Sequence, residues 1–479
     1  MTINNVSQHL LANADKFGEK IMYIHNNTSI TYNQFVTKTW KIAQYFKNQD
    51  VCPQQKIIMM QTDCIDSYAC FHALTLLGAT IIMLDTRTPL DTVQKIISET
   101  NSKIIIGDQI ELAGLAKNYT MTDFKNLPDL VLLVPYTYNA DDELVYFATS
   151  GTTGHSKLVI QTHQSFVNSF ETVQELVLAD HTSVVFSIPK IAFSWGICNN
   201  IIAPLLNYAT YLIMTSTMSL KNLHEIVNQY QVTHLTASPH VLGLVIKNKN
   251  AKFDPCLKRV LTGSESVPPI IASTFQQKFQ VRLNSCYGMS ETLSGMLTEV
   301  DYQSNPCCIG KPIADNEFKI VDDNGDECSY DQPGRLLIKT KLKAKGYFND
   351  PESTNQIFKG DWIYTNDIVK KNINNNYYHL GRIGYTRKLK SHWINLIDVE
   401  NLFYELPDLV DCCAEFTKTD SGEFELLAQV VIDSKLSAGE LKLKLSALTK
   451  KKYLIPKKII FTDLIPRTLT NKKIRNLYD

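Results

Sequence analysis

Short β-branched runs alternate with longer amphipathic segments along most of the chain. The runs include Lys56-Ile-Ile-Met-Met60, Ala79-Thr-Ile-Ile-Met-Leu84, Lys103-Ile-Ile-Ile106, Ser183-Val-Val-Phe186 and Arg259-Val-Leu261. Segments between them, such as 89–100 and 220–230, carry apolar residues at helical spacing. This alternation predicts α/β layers built on largely parallel sheets. From about 317 to 370 the character changes to strands with turn signals, Glu317-Phe-Lys-Ile-Val-Asp-Asp-Asn-Gly325 and Pro333-Gly-Arg-Leu-Leu-Ile-Lys339. Asn324-Gly325 lies between these two runs, which predicts a hairpin in a small β-subdomain. The chain starts afresh near Gly381 with mixed segments at 399–406, 412–416, 425–432 and 438–448. About 100 residues suffice there for a small α+β domain with its own core.

The 479 residues, 44% hydrophobic and 20% charged, suit a large globular chain of several units. Net charge is zero, so no global basic excess recruits nucleic acid. The lysine clusters 442–444 and 450–452 read as solvated faces. Residues 1–8 lack a basic n-region and an apolar h-region, and the apolar stretches near 71–84 and 197–213 are interrupted by polar residues. Neither export nor a transmembrane segment is expected. Eleven cysteines without CxxC spacing favour reduced thiols and a cytoplasmic location.

Candidate chemistry centres on Tyr146-Phe-Ala-Thr-Ser-Gly-Thr-Thr-Gly-His-Ser-Lys157, a hydroxyl-rich and glycine-rich loop entered from an apolar run. Gly151 and Gly154 free the backbone to present N–H groups, the hydroxyls of Thr149, Ser150, Thr152 and Thr153 donate, and Lys157 adds a point charge. The spacing is not that of a Walker A loop. Downstream come Thr262-Gly-Ser-Glu265, Ser285-Cys-Tyr-Gly-Met-Ser-Glu-Thr292, Tyr364-Thr-Asn-Asp367, Gly381-Arg382 and Pro466-Arg-Thr-Leu-Thr-Asn-Lys472.

In this order the segments resemble the adenylate-forming superfamily of acyl-CoA synthetases, peptide-synthetase adenylation domains and luciferases, from Ile30-Thr-Tyr32 to Lys472. The resemblance implies an α/β protein with a large N-terminal AMP-binding domain, residues 1–383, made of layered α/β subdomains plus a β-subdomain at about 317–380. A small, mobile α+β C-terminal domain, 384–479, would carry the catalytic lysine, with the active site between the two. The implied chemistry is ATP-dependent activation of a carboxylic acid to acyl-AMP and pyrophosphate, then thioester formation.

The roles follow the motifs. The loop including Thr149, Ser150, Gly151, Thr152, Thr153, Gly154 and Lys157 would hold the β- and γ-phosphates, with Thr152, Glu291 and Lys472 as catalytic residues and Glu291 on Mg2+. Gly263, Ser264 and Glu265 would approach the adenine, Tyr287 would stack on it, and Ser285, Gly288 and Ser290 belong to the same AMP site. Asp367 would accept from the ribose hydroxyls, and Arg382 would support ribose or phosphate. The segment 187–200 resembles that of benzoate-type CoA ligases and, with Glu291-Thr-Leu293, implies an acid pocket of Lys190, Phe193, Trp195, Gly196 and Leu293. Ser194 stands where amino-acid-activating domains carry an aspartate, and an ammonium group there would go uncompensated. An aromatic or other amine-free acid is therefore expected.

The family pattern breaks at the hinge, where Gly384 replaces a frequent aspartate, and at Ser391, where glycine is common in the thioester-forming loop. Asn471 replaces the glycine before Lys472. The expected acceptor is coenzyme A. The alternatives are the phosphopantetheine of a carrier protein and a catalytically weak binding protein of the same fold. A homodimer is compatible with this reading.

Overall fold

A computed structural model describes residues 5–107, 116–125, 127–149, 157–294, 296–297, 308–419, 421–433, 435–469 and 472–475. The expected runs form strands: Lys56–Met60, Thr80–Met83, Ile104–Gly107, Val184–Ser187 and Arg259–Thr262. Segment 89–100 forms the helix Leu90–Thr100, buried through Val93, Ile96 and Ile97. Segment 220–230 splits into a 3-10 turn, Leu220–Asn222, and the helix Leu223–Gln229.

Two large sheets carry the N-terminal part. In one, Lys117–Tyr119, Ile104–Gly107, Lys56–Met60, Thr80–Met83 and Glu143–Thr149 run parallel in that spatial order, and Lys157–Thr162 returns antiparallel beside the last. Thr149 is paired with Lys157 across this return, and residues 150–156 lie outside the described residues. In the other, Thr210–Leu212, Val184–Ser187, His234–Thr236, Arg259–Thr262 and Arg282–Tyr287 are parallel neighbours. Their C-terminal ends present Ser187, Thr236, Thr262 and Ser285, the edge where ligands of parallel sheets sit.

That sheet continues antiparallel through Met296–Leu297 and Cys308–Pro312 into Tyr377–Arg382, Trp362–Lys371, Gly334–Lys339 and Glu317–Val321. The two runs flanking Asn324-Gly325 do pair antiparallel, Phe318 opposite Ile338. The Asn-Gly turn joins them less directly than expected. It closes only a local turn, Gly325 N–H donating to the Asp322 carbonyl at 3.1 Å, with Val321 bridged to Glu327, and the chain runs on to Gly334 before the second strand begins. Gly325 has φ of +88°, which few residues other than glycine adopt.

Beyond Gly384 come the hairpin Thr386–Leu389 and His392–Asn395, the helix Leu396–Tyr404, the strands Leu409–Lys418, Phe424–Ile432 and Lys458–Phe461, and the helix Ala438–Leu448. Leu396, Phe403, Leu409, Ala428, Leu441 and Leu445 form a core separate from those of the large sheets. At about 1.5–3 kcal/mol per buried Leu or Phe side chain, this core can hold the segment together by itself. Among the described residues no helix is long and apolar enough to cross a membrane.

Candidate active site

Asp367 sits where two strands of the β-part pair, opposite Arg382. A register shift between Ile368 and Val369 bends the strand and turns Asp367 toward His379 as well. Tyr287 donates its hydroxyl to Asp367 Oδ2 at 2.7 Å, and His379 Nε2 lies 3.3 Å from Oδ1. Arg382 Nε is 3.2 Å from Oδ1 as a charge contact, but without hydrogen-bonding geometry, so this buried N–H has no partner. Burial alone would push the Asp367 carboxyl up. The His379 hydrogen bond and the Arg382 charge outweigh it and hold the group well below the usual carboxylate range. Burial keeps the Tyr287 phenol protonated, and the Asp367 charge adds to the effect.

Gly263 follows the strand Arg259–Thr262 because a β-carbon there would lie 2.7 Å from Cys286 Sγ and 2.9 Å from the Cys286 carbonyl oxygen. Ser264 follows with φ of +72°, a backbone region costly for serine and frequent at functional sites. Glu265 meets Arg467 of the small domain at 3.5 Å. Its carboxyl is raised by burial, partly offset by Arg467. Ser264, Glu265, Ser285, Tyr287 and Gly288 share one cleft with Asp367, Arg382 and Lys472.

At the phosphate end, Tyr347 donates to Glu291 Oε1 at 2.7 Å, and the Ala344 N–H donates to the Glu291 carbonyl at 2.9 Å. Lys157 lies 3.5 Å from Asp350 and 5.2 Å from the centre of the Tyr347 ring. The Ser290 carbonyl accepts from Gln161 Nε2 at 2.7 Å. Thr149 stands at the rim, its hydroxyl donating to the Lys157 carbonyl at 3.3 Å. Ser150, Gly151, Thr152, Thr153 and Gly154 lie outside the described residues. Among the described residues no three His, Cys, Asp or Glu side chains gather into a metal site. Mg2+ with nucleotide characteristically takes one or two carboxylates and completes its shell with phosphates and water, a demand Glu291 fits.

The loop ending at Lys472 is pinned at its base, Thr468 N–H donating to the Lys472 carbonyl at 2.8 Å and Lys472 N–H to Thr468 Oγ1 at 3.1 Å. Arg87 grips Asp85 at 2.7 Å and also donates to the Leu469 carbonyl at 2.7 Å, tying the loop to the large domain. Lys472 retains accessible surface because it lines the cleft. Loss of solvent around it and the Arg382 charge pull its pKa below that of an ordinary lysine, against the pull of Asp367, Glu291 and Glu265.

The acid segment divides. The Ser194–Ile197 helix passes straight into a π-turn, Cys198–Ile202, an irregularity common at functional sites. Gly196 is obligatory, since a β-carbon would lie 1.8 Å from the Lys190 carbonyl oxygen. Phe193 is half-buried. Trp195 lays its Cζ2 edge 3.6 Å from where a Gly263 β-carbon would stand, and its buried indole N–H has no hydrogen-bond partner among the described residues. Lys190 differs from expectation. Its ammonium is committed to Asp85 at 3.1 Å, the carboxylate that also holds Arg87, so it anchors the segment from outside. Leu293, at φ of +54°, is a core residue whose carbonyl accepts from Cys198 Sγ at 3.8 Å.

Gly384 has φ of +89° and occupies the third position of a turn closed by Tyr385 N–H donating to the Arg382 carbonyl at 2.8 Å. A side chain there is strained in this arrangement, so glycine favours this turn. His379, Ser266 and Tyr347 were not singled out by the sequence motifs, and Arg467 lies within the Pro466–Lys472 motif without a role assigned to it. Ser266 adjoins the motif acid Glu265, whereas the bulge that recruits His379 has no sequence signature.

Parallel sheets, a β-part and a small C-terminal α+β part around a cleft lined by Asp367, Arg382 and Lys472 define the adenylate-forming class. The chain belongs to the AMP-binding enzyme family, whose model matches residues 10–348. The 4-hydroxybenzoate–CoA/benzoate–CoA ligase of Rhodopseudomonas palustris is 22% identical over 97% of this chain and 91% of that protein. Gramicidin S synthase 2 of Brevibacillus brevis is also 22% identical over 95% of this chain, which spans only 10% of that synthase. In structure the chain is similar to an anthranilate CoA ligase in complex with anthranoyl-AMP, with a TM-score of 0.91 at 19% identity over 98% of this chain and 95% of the other. A benzoate CoA ligase from Burkholderia xenovorans gives 0.85 at 19% identity over 98% of each chain.

Proposed function

We propose that the protein is an AMP-forming acid–thiol ligase that activates an aromatic, benzoate-like acid and passes the acyl group to coenzyme A. The observation that carries this reading is the convergence of Lys472 with Asp367 and Arg382 in one cleft between the two domains, with Glu291 near enough for its charge to act on Lys472. Both reactants are anions, so the reaction needs cations that converge where charge builds. A carboxylate oxygen attacks the α-phosphorus, the bond to the bridging oxygen breaks, and pyrophosphate departs with that electron pair. Lys472 bridges the carboxylate and the α-phosphate. Asp367 accepts from the ribose hydroxyls, and the unpartnered Arg382 Nε–H supplies a donor at the same end of the cleft. Glu291 would hold Mg2+, which would supply charge neutralisation at the phosphates. Entering phosphates would supply the Lys472 ammonium with a counter-charge.

The wall of Phe193, Trp195 and Gly196 offers no carboxylate for an α-ammonium, which supports an amine-free acid. A second reading, loading of a carrier-protein phosphopantetheine, is supported by the equal identity to gramicidin S synthase 2. Acid-dependent exchange of pyrophosphate into ATP over benzoates, anthranilates, fatty acids and amino acids tests the first half-reaction. Adding coenzyme A or a phosphopantetheinylated carrier protein separates the two acceptors.

A further inference from the structure

We propose that His379, held by Ser266, is a positioning residue that aims Asp367 so that each carboxylate oxygen keeps one free lone pair for a vicinal diol. This rests on the adenylate-forming reading, which supplies the ribose. Ser266 Oγ lies 2.8 Å from His379 Nδ1, and His379 Nε2 lies 3.3 Å from Asp367 Oδ1. Asp367 is held ionised and can only accept, so Nε2 carries the proton and donates. Ser266 Oγ holds the other ring nitrogen, Nδ1, so the imidazole is gripped at both ends between Ser266 and Asp367.

A carboxylate has about four lone-pair sites, two on each oxygen. Among the described residues, Oδ1 receives one side-chain hydrogen bond, from His379, and Oδ2 receives one, from Tyr287. Arg382 Nε contributes charge to Oδ1 without a hydrogen bond. One acceptor site therefore remains on each oxygen, a pair suited to two adjacent hydroxyls and poorly used by one. Donors gripping both oxygens from the protein side fix the rotation of the carboxylate plane. With His379 removed, Oδ1 loses its only directional partner and the plane is held by Tyr287 alone. His379 and Ser266 both line the cleft, so the chain is completed at the site itself. The bulge between Ile368 and Val369 gives the backbone reason, since it places Asp367 beside a histidine one strand away.

The test is equilibrium binding of AMP, 2′-deoxy-AMP and 3′-deoxy-AMP to the full chain, which requires no knowledge of the acid. The unaltered protein should bind AMP about tenfold or more tightly than either deoxynucleotide, the scale of a hydrogen bond to a charged group. In His379→Phe the preference should fall to about threefold or less, with His379→Gln restoring part of it, because an amide can still donate to Oδ1. Ser266→Ala should move the preference in the same direction by a smaller factor and covers the case in which His379→Phe fails to fold. A merely structural role for His379 would weaken all three nucleotides alike. An unchanged AMP preference in folded His379→Phe and Ser266→Ala overturns the proposal and leaves the reaction assignment standing. Failure of the unaltered protein to bind any of the three overturns both.

Discussion

Lys472 and Lys473 are neighbours in the chain with opposite surroundings. Lys473 holds Glu400 at 2.7 Å and lies 3.8 Å from Asp411, and those carboxylates outweigh burial to raise its pKa well above that of an ordinary lysine. Both line the cleft, but Lys472 makes no ion pair among the described residues and has its pKa lowered. One lysine is thereby committed to holding the small domain together, and the other is left for substrate.

Exchanging each lysine separately should split stability from chemistry. Lys472→Ala should lower acid-dependent pyrophosphate exchange by a factor of about 100 or more, the loss typical of a removed transition-state donor, with little change in melting. Lys473→Ala should leave Glu400 and Asp411 partly uncompensated and destabilise the small domain by about 3 kcal/mol. Exchange assays and thermal melting of both variants check this; the reverse pattern would shift the catalytic register by one residue.

Trp195 should shape acid selection. Trp195→Ala should weaken activation of small aromatic acids by about tenfold and admit bulkier ones, since a tryptophan contributes a large apolar wall. Trp195→Phe should keep most of the wall while losing the unpartnered N–H. An acid profile unchanged in both variants would remove Trp195 from the pocket. Gly196→Ala should abolish activity by displacing the Lys190 backbone.

The hinge position has a sign that the geometry supplies. With φ of +89° at Gly384, Gly384→Asp should strain the closed turn, by about 1 kcal/mol or more, and disfavour the arrangement that puts Lys472 in the cleft. Adenylation should slow relative to thioester formation. Single-turnover measurement of both half-reactions tests this, and equal changes in the two would place the pivot elsewhere.

Stability should fall in mild acid. Burial lowers His72 to about 3 and His163 to about 4, from 6.5 in the unfolded chain, so the unfolded state binds more protons as pH drops below 6.5 and the native state loses stability through the window down to those values. Asp63, raised by burial to about 6 from 3.8, works the other way between those two values. The steepest loss is therefore expected just below pH 6.5. Melting temperatures from pH 7.5 to 5 measure it, with a shallower slope in His72→Gln; a flat profile would contradict the assignment.

Much of this was legible in the chain because parallel strands buried on both faces must be written as β-branched runs, as at 56–60 and 80–83. The resemblance of the motifs to the adenylate-forming family led to Asp367, Arg382, Tyr287 and Lys472. What escaped depends on contacts between segments far apart in sequence. Lys190 reads as a pocket cation until Asp85 is beside it, and His379 reads as one more strand residue until the bulge brings Asp367 to it. Gly384 reads as a freed hinge until its positive φ is known.

The most direct measurement is acyl-thioester formation by the purified full chain with ATP, Mg2+, coenzyme A and a panel of benzoates, following AMP and pyrophosphate together. An aromatic acid should yield its CoA thioester with one AMP and one pyrophosphate per turnover, and Lys472→Ala should abolish all three products. Acid-independent ATP hydrolysis, ADP in place of AMP, or activation of amino acids in preference to every aromatic acid would contradict the account.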